Sequence, residues 1–195
     1  MTFKRIFAYV LLMMMVPTIA HAEYFVQKGD TMSGIAKKNG MLYSSLKSLN
    51  PQIPNLNRIY PGQYVNIRKE GQEIKDLTDY ARSLQESTHY VYGGTSPLAT
   101  DCSGWVQNIF GKFGVKLPRV SRDQARIGKT IPFKDIQAGD LMYFSTVADK
   151  HITHVGIYLG QNFWISNLNT DKDVQILSTF GSWTQRYFMW AKRVL

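Results

Sequence analysis

The sequence predicts an α+β protein made of two units, a small β-α-α-β module followed by a larger domain in which helices precede an antiparallel sheet. The first unit is predicted because two short segments with helical spacing lie between two strand-like runs within residues 23–67. The second is predicted because amphipathic helical segments are followed, after residue 139, by short apolar runs separated by turns. A length of 195 residues suffices for both, and 44% hydrophobic with 19% charged residues is typical of a globular protein.

The first 22 residues have the composition of a secretory signal peptide. Lys4 and Arg5 precede an apolar run over residues 6–16, and residues 20–22 (Ala-His-Ala) have the small-x-small form of a cleavage site. The apolar run is short for a membrane-spanning helix. We therefore expect export with cleavage after Ala22, a location in the periplasm, the cell wall or the medium, and no stable membrane span afterwards.

The charge balance points to an anionic polymer as partner. The net charge is +9, and the leader carries two of the positive charges and no negative one, which leaves +7 on the mature chain. The basic residues are scattered, and no motif that alternates aromatic and basic residues argues for nucleic acid. After an export signal, a cell wall rich in carboxylates is the expected partner.

The N-terminal module begins with a strand-like run over residues 24–27 and a turn in which Asp30 or Thr31 can cap a helix. Apolar residues at helical spacing then mark two short helices, the first with Met32, Ile35 and Ala36 and the second with Leu42, Leu46 and Leu49. The second helix ends at Asn50-Pro51, and residues 59–67 form a turn that leads into a closing strand.

The runs VQKGDTMSGIAKKNG, LKSLNP and IYPGQYVNI closely resemble a LysM module, so we expect a LysM domain over residues 23–67. The resemblance implies binding to glycans that contain N-acetylglucosamine, such as peptidoglycan, in a shallow groove between the two helix–strand connections. By the same resemblance, the sugar contacts are expected from Gly29, Asp30, Thr31, Asn50, Pro51 and Gln52. For three of these residues, Asp30, Thr31 and Asn50, helix capping or turn formation is an equally good interpretation.

Residues 68–76 are charged and contain Gly71, which predicts a linker. From Asp76 onwards an amphipathic helix is expected, with Leu77, Tyr80, Ala81 and Leu84 on one side. The second domain is predicted to span residues 77–195.

The only cysteine lies where a loop turns into a helix, in the run from Thr100 to Gln107. The apolar face of this helix consists of Trp105, Val106, Ile109, Phe110 and Phe113. Cys102 falls in the first turn, where free backbone N–H groups and the helix dipole favour a thiolate. A buried structural cysteine is the alternative. A single thiol in an exported chain cannot form an internal disulfide, and this favours a catalytic role.

A further helix is predicted from Ser121, as its cap, to Ile127. Strands are predicted over residues 139–144 (after a turn), 155–159, 163–166 and 174–177, and a segment over 187–194 is expected to close the sheet.

A cysteine on a helix followed by a histidine on a later strand is the order found in papain-like peptidases. The runs YVYGG, DCSGWVQ, LPR, AGDLMYF and HVGIYLG, in this order, resemble the NlpC-type cell-wall cysteine peptidases, bacterial D,L-endopeptidases that cut peptidoglycan stem peptides. The resemblance covers residues 77–195 and implies a papain-like α+β domain. It also implies cysteine peptidase activity that needs no metal or organic cofactor.

A cysteine nucleophile requires a base, and the mature chain offers His89, His151 and His154. His154 opens the strand that carries the base in the family, so it is the expected base. His151 is expected to point to the opposite face of an extended strand. The spacing of His151 and His154 resembles that of a metal-binding pair, but no further Cys or His completes a zinc site.

A third residue should orient the imidazole, and the family usually places His, Asn or Gln on the next strand. This sequence departs from that pattern, because gapless alignment places Ser166 there, on the same face as Trp164. A β-bulge that shifts the register by one residue would place Asn167 there instead.

The resemblance also assigns residues around the nucleophile. Tyr90 is expected to support the oxyanion together with the Cys102 backbone N–H, and packing on the helix is the structural alternative. Asp101 and Ser103 are expected to hold a substrate amine, although Asp101 can equally stabilise the helix start. Arg119 is expected to pair with a stem-peptide carboxylate, or else to be an exposed structural arginine.

Two other functions fit the same residues. One is an amidase or acyltransferase on the same fold, because the catalytic residues alone do not choose the acceptor. The other is a cell-wall-binding protein whose catalytic site has decayed, which the unusual third position leaves open.

Overall fold

The computed structural model describes residues 22–68 and 71–195. The predicted leader over residues 1–22 therefore lies outside the described residues except for Ala22, which begins the first strand. The N-terminal unit consists of β1 (Ala22–Phe25), α1 (Met32–Lys38), α2 (Tyr43–Leu49) and β2 (Tyr64–Ile67). The two strands pair antiparallel, and both helices pack on a small core of their own. The predicted β-α-α-β arrangement is confirmed.

The helix predicted from Asp76 begins earlier, because α3 spans Gln72–Ser83. The predicted linker over residues 68–76 is therefore wrong at its C-terminal end, where residues 72–76 are helical. Gly71 precedes the helix with φ +77°, a left-handed conformation that glycine adopts without strain. Glu73, in the first turn, is buried against the N-terminal unit, a tertiary contact that extends the helix beyond its amphipathic stretch.

Helix α4 (Cys102–Lys112) is the central helix of the second unit. Its apolar face is fully buried against the sheet, with Trp105, Val106, Ile109 and Phe110 each 0% exposed. Asp101 is the N-cap, and its Oδ1 accepts a hydrogen bond of 2.9 Å from the backbone N–H of Gly104. The capping and the apolar spacing thus fix where the helix starts and which side faces inward.

Six antiparallel strands form the main sheet in the order β10-β9-β8-β7-β11-β6. The strands are β6 (Lys129–Ile131), β7 (Leu141–Phe144), β8 (His154–Gly160), β9 (Phe163–Asn167), β10 (Val174–Ser178) and β11 (Phe188–Arg193). The last strand does not lie at the edge, because β11 pairs with both β7 and β6. The predicted helix over 121–127 is shorter, since α5 spans Ser121–Gln124, and the strand β6 that follows was not predicted. A final helix, α6 (Ser182–Tyr187), precedes β11.

A second, three-stranded sheet links the cysteine to Tyr90. It consists of β3 (His89–Tyr90), β4 (Thr95–Ser96) and β5 (Ala99–Thr100), in the order β3-β5-β4. Strands β3 and β5 run parallel, with Tyr90 opposite Thr100, which leads directly into α4. Helices followed by an antiparallel sheet confirm the α+β class. Across residues 22–68 and 71–195, the helices are too short or too polar to cross a membrane.

Candidate active site

Cys102 lies at the junction of β5 and α4, where the helix packs on β8. The residue is 5% exposed, and the backbone N–H of Val155 on β8 is positioned to hydrogen-bond to its sulfur. Because Val155 directly follows His154, the helix–sheet packing brings the thiol beside the histidine that opens β8. The folding of α4 onto the sheet therefore assembles these two side chains from residues 52 positions apart in the chain.

The His154 ring is oriented from the neighbouring strand by Ser166. The Ser166 Oγ lies 3.0 Å from His154 Nε2 and 2.7 Å from the carbonyl oxygen of Val155. A hydroxyl donates one proton, so donation to the Val155 carbonyl leaves Ser166 as the acceptor of an Nε2–H bond. This bond selects the tautomer in which Nδ1 is free to accept a proton.

Asn167 takes no part in this arrangement. Its Nδ2 donates to the carbonyl oxygen of Thr100 at 2.6 Å, which directs the side chain to the small sheet. The register irregularity between β8 and β9 lies near Tyr158 and Gly160, away from this position. Ser166, rather than Asn167, is therefore the residue within hydrogen-bond distance of the His154 ring.

Burial keeps both reactive groups neutral. It raises the pKa of the Cys102 thiol to about 11, the negative charge of Asp101 adds to the shift, and the N–H groups of Val155 and Ser103 oppose it. Burial also lowers the pKa of His154 to about 4, against the opposing effect of Asp101. The expectation of a lowered thiol pKa from the helix start is therefore wrong, because removal from water outweighs the helix terminus.

Tyr90 lies beside the cysteine. Burial, followed by the charges of Cys102 and Asp101, raises the pKa of its phenol to about 12. The hydroxyl therefore stays protonated at neutral pH and can donate a hydrogen bond. The backbone N–H of Tyr90 donates to Asp173 Oδ1 at 2.6 Å, which fastens β3 to the turn between β9 and β10.

Asp101 and Arg119 form a bidentate ion pair. The guanidinium donates to both carboxylate oxygens, at 2.7 and 2.9 Å, and also to the hydroxyl of Ser103 at 3.2 Å. Although burial opposes ionisation, the hydrogen bonds from Arg119, Gly104, Gly93 and Ser103 lower the pKa of Asp101 to about 2. Arg119 was expected to pair with a substrate carboxylate, whereas here its guanidinium is bound to Asp101.

Two cavities open on either side of Tyr90. The first, which we call the cysteine cavity, has a volume of about 640 Å³ and is lined by Cys102, Asp101, Ser103 and Arg119 among others. The second, which we call the histidine cavity, has a volume of about 390 Å³ and is lined by His154. Tyr90 and Thr153 line both cavities, so the two form successive parts of one cleft.

His151 lies at the mouth of the cysteine cavity. The prediction that it points away from His154 across a strand is wrong, because β8 begins only at His154 and His151 belongs to the preceding loop. The ring is exposed, and its Nδ1 lies 2.6 Å from Asp149 Oδ1. Among residues 22–68 and 71–195, no three His, Cys, Asp or Glu side chains are grouped so as to hold a metal ion.

The N-terminal unit carries a separate groove with a volume of about 430 Å³. It is lined by Asp30, Thr31, Met32, Ser33, Tyr43, Leu56, Asn57 and Ile59. Thr31 also caps α1 by accepting from the Gly34 N–H at 3.1 Å. Asp30 accepts from the Tyr24 hydroxyl and the Gln27 N–H, so it fixes the turn beside Gly29, whose φ is +91°.

The expected contacts at the second connection do not line this groove. Asn50 is 1% exposed, and its amide bonds to the backbone of Leu46 and Asn66. Gln52 donates to the Asn50 side chain, and Pro51 is exposed outside the groove. The groove is lined by the end of this connection (residues 56–59) and not by its beginning, so sugar contacts from Asn50, Pro51 and Gln52 stay a prediction.

Family models match both units. The LysM domain model matches residues 24–68, and the NlpC/P60 family model matches residues 87–193, more than half of the chain. The chain belongs to the NlpC/P60 family. It carries a LysM domain before the NlpC/P60 domain, and this family includes peptidoglycan endopeptidases.

Several curated relatives are similar to this NlpC/P60 chain. The probable endopeptidase NlpC of Escherichia coli (strain K12) is 35% identical over 122 residues, 62% of this chain and 78% of that protein. The murein DD-endopeptidase MepS/murein LD-carboxypeptidase of the same strain is 30% identical over 153 residues, 78% of this chain and 73% of that protein. The γ-D-glutamyl-L-lysine dipeptidyl-peptidase of Bacillus subtilis (strain 168) is 40% identical over 90 residues, which cover 46% of this chain but 30% of that protein. The chain thus spans under half of some relatives.

Solved structures of NlpC/P60 proteins are also similar to this chain. An NlpC/P60 family protein from Bacillus cereus ATCC 10987 superposes with a TM-score of 0.59 and 26% identity, over 69% of this chain and 48% of that chain. A protein described as similar to lipoprotein, NLP/P60 family, from Staphylococcus aureus gives a TM-score of 0.55 and 33% identity, over 64% and 42%.

Proposed function

We propose that this protein is an exported peptidoglycan hydrolase, in which Cys102 cleaves amide bonds of the stem peptide while the LysM domain holds the enzyme on glycan strands. The observation that carries the proposal is the alignment of His154 by Ser166 beside a cysteine at the start of α4. The surplus of positive charge suits a wall that is rich in carboxylates.

The reaction starts from a neutral Cys102 thiol and a neutral His154 imidazole. As the Cys102 sulfur attacks the amide carbonyl, a C–S bond forms and the thiol proton passes to His154 Nδ1. The Tyr90 hydroxyl and the Cys102 N–H receive the developing oxyanion. The imidazolium then protonates the leaving amine, the C–N bond breaks, and an acyl-enzyme remains. His154 next removes a proton from water, whose oxygen bonds to the thioester carbonyl carbon. The C–S bond then breaks, the imidazolium returns its proton to the sulfur, and the product leaves as a carboxylic acid that ionises in water.

The bond that we propose to be cleaved is the amide between the γ-carboxyl of D-Glu and the diamino acid, or the D,L bond on the crosslink side. Two of the more similar relatives support this choice by their names, the γ-D-glutamyl-L-lysine dipeptidyl-peptidase and the bifunctional muramidase/DL-endopeptidase CwlT of Bacillus subtilis, at 40% and 47% identity. The relative whose name gives DD-endopeptidase and LD-carboxypeptidase activities is less similar, at 30% identity, and therefore weighs less in this choice.

Digestion of purified sacculi tests the proposal. Cys102→Ala and His154→Ala should each reduce fragment release by about a thousandfold or more, and the double variant should be no worse, because the two groups act as a unit. His151→Ala is the matched control and should retain most activity. Mass analysis of the fragments identifies the bond.

Three outcomes count against the proposal. Full activity of Cys102→Ala would exclude a cysteine mechanism. Sacculus binding without fragment release by the unaltered protein would instead favour a binding protein with a decayed site. Release of acyl-transfer products would favour the transferase alternative.

A further inference from the structure

The histidine cavity differs from the cysteine cavity in its chemistry. Its polar wall is the turn over residues 169–173, between β9 and β10, which places Lys172 on the rim. Its aromatic wall is Trp183 of α6, which is 36% exposed. In the part of the chain that the structure describes, no Asp or Glu side chain lines the cavity. Lys172 is exposed, and within residues 22–68 and 71–195 its ammonium forms no hydrogen bond or ion pair.

Both walls are held in place by contacts beneath them. Asp173 has φ +50° and binds β3 with both oxygens, Oδ1 to the Tyr90 N–H and Oδ2 to the His89 ring at 3.0 Å. Of the two carboxylates that flank Lys172 in the chain, Asp171 and Asp173, that of Asp173 is therefore turned towards β3. Trp183 packs with its ring centroid 5.9 Å from that of His154 and 5.1 Å from that of Phe144. An anchored turn that carries the Lys172 cation and a packed aromatic face thus flank the His154 side of the cleft.

The mechanism determines which half of the substrate each cavity receives. The cysteine cavity contains the nucleophile, which bonds to the carbonyl carbon, so the acyl half lies there. The histidine cavity contains the group that protonates the leaving amine, so the amine half lies there. This assignment rests on the proposed function.

We propose that the histidine cavity binds the amine-side residue of the cleaved bond, and that Lys172 selects substrates in which this residue has a free carboxylate. The aliphatic side chain of a diamino acid lies along Trp183 in this arrangement, and its α-carboxylate faces the ammonium of Lys172. Lys172 is thus a specificity-determining residue, separate from the residues that perform the chemistry.

A pair of synthetic peptides tests the proposal on the full chain. Both have the sequence L-Ala-γ-D-Glu-diamino acid, and they differ only in a free or amidated α-carboxyl on the diamino acid. An ion pair at the exposed rim of a cleft should give about a fivefold preference in kcat/KM for the free carboxylate. Lys172→Met should reduce the preference to about one, and Lys172→Glu should invert it. The preference should also decrease with added salt.

Lys116→Glu is the matched control, because it changes the net charge by the same amount as Lys172→Glu. Lys116 is exposed and lies beyond the far end of α4. It should retain the wild-type preference. An undiminished preference in Lys172→Met, or equal rates on the two peptides for the unaltered protein, would overturn this proposal alone. Failure of the unaltered protein to cleave either peptide or sacculi would overturn the proposed function, and this inference with it.

Discussion

At the scale of single residues, Ser166 stands where the family resemblance predicts His, Asn or Gln, and its hydroxyl is a weaker hydrogen-bond acceptor than a carboxamide oxygen. Ser166→Ala removes the acceptor of the His154 Nε2–H bond. We expect a loss of about 0.5–1.5 kcal/mol, which is up to about tenfold in kcat/KM. Steady-state kinetics on a soluble peptide measure this effect.

The melting temperature of Ser166→Ala serves as its control, since the variant also leaves the Val155 carbonyl without its 2.7 Å partner. A lower kcat/KM with a melting temperature lowered by only a few degrees supports the role of Ser166 in orienting His154. Unchanged kinetics would exclude it, and a loss of several thousandfold would show that Ser166 takes part in the chemistry.

The low pKa of His154 predicts an unusual pH profile. The base must be neutral in the free enzyme, and burial lowers its pKa from 6.5 to about 4. The acid limb of kcat/KM should therefore lie well below pH 6.5, near pH 4, when measured on an amidated peptide without titrating carboxyls. A limb at pH 6.5 or above would show that a thiolate stabilises the imidazolium in the free enzyme.

The free energy of unfolding should also depend on pH between pH 6.5 and 4. Because the folded pKa of His154 is lower than the unfolded one, the unfolded chain binds more protons between pH 6.5 and 4, and stability falls as the pH decreases through this window. Asp101 adds a further loss at lower pH. Its folded pKa of about 2 lies below the ordinary carboxyl pKa of 3.8, so its contribution is complete above pH 3.8 and disappears towards pH 2.

At the scale of elements, the sequence predicted those whose signals are local. Helix α4 was predicted from the spacing of Trp105 and Phe110, and strand β9 from the alternation that places Ser166 with Trp164. Strands β4 and β5 contain two residues each, too few to show a pattern, and the three-residue strand β6 is defined only by its pairing with the distant β11. The histidine cavity was missed for the same reason, since it joins a turn and a helix that are adjacent only in the folded chain.

Gly104 tests how tightly the start of α4 is packed. A Cβ at this position would lie 2.0 Å from Thr100 Oγ1 and 3.0 Å from Arg119 Cζ. Gly104→Ala should therefore destabilise the fold by about 1–3 kcal/mol and disturb the Asp101–Arg119 pair. Gly111→Ala on the same helix has nothing within 4 Å and should be neutral or stabilising by up to about 1 kcal/mol. Equal unfolding free energies for the two variants would contradict this account.

At the scale of the whole molecule, the two units are joined by a carboxylate as well as by the chain. Glu73 on α3 accepts hydrogen bonds from the Ser45 hydroxyl and, at 3.2 Å, from the Leu42 N–H, so it caps helix α2 of the LysM domain from the neighbouring unit. Helix α2 has no side-chain cap of its own. Arg68 and Asp76 add an ion pair of 3.0 Å across the same junction. We expect these contacts to hold the groove of the N-terminal unit in one orientation relative to the cysteine and histidine cavities.

Removing this carboxylate should separate the binding and catalytic functions. Glu73→Ala leaves the buried Ser45 hydroxyl without its acceptor, which should cost about 1–3 kcal/mol and increase proteolysis between the units. Asp79→Ala is the control, because it removes an exposed acid from the same helix and should cost less than about 0.5 kcal/mol. We expect slower digestion of sacculi by Glu73→Ala with unchanged cleavage of a soluble peptide, because only the polymer engages both sites. Equal losses on both substrates would mean that Glu73 supports the catalytic unit itself, and unchanged sacculus digestion would mean that a fixed orientation of the LysM domain is not needed.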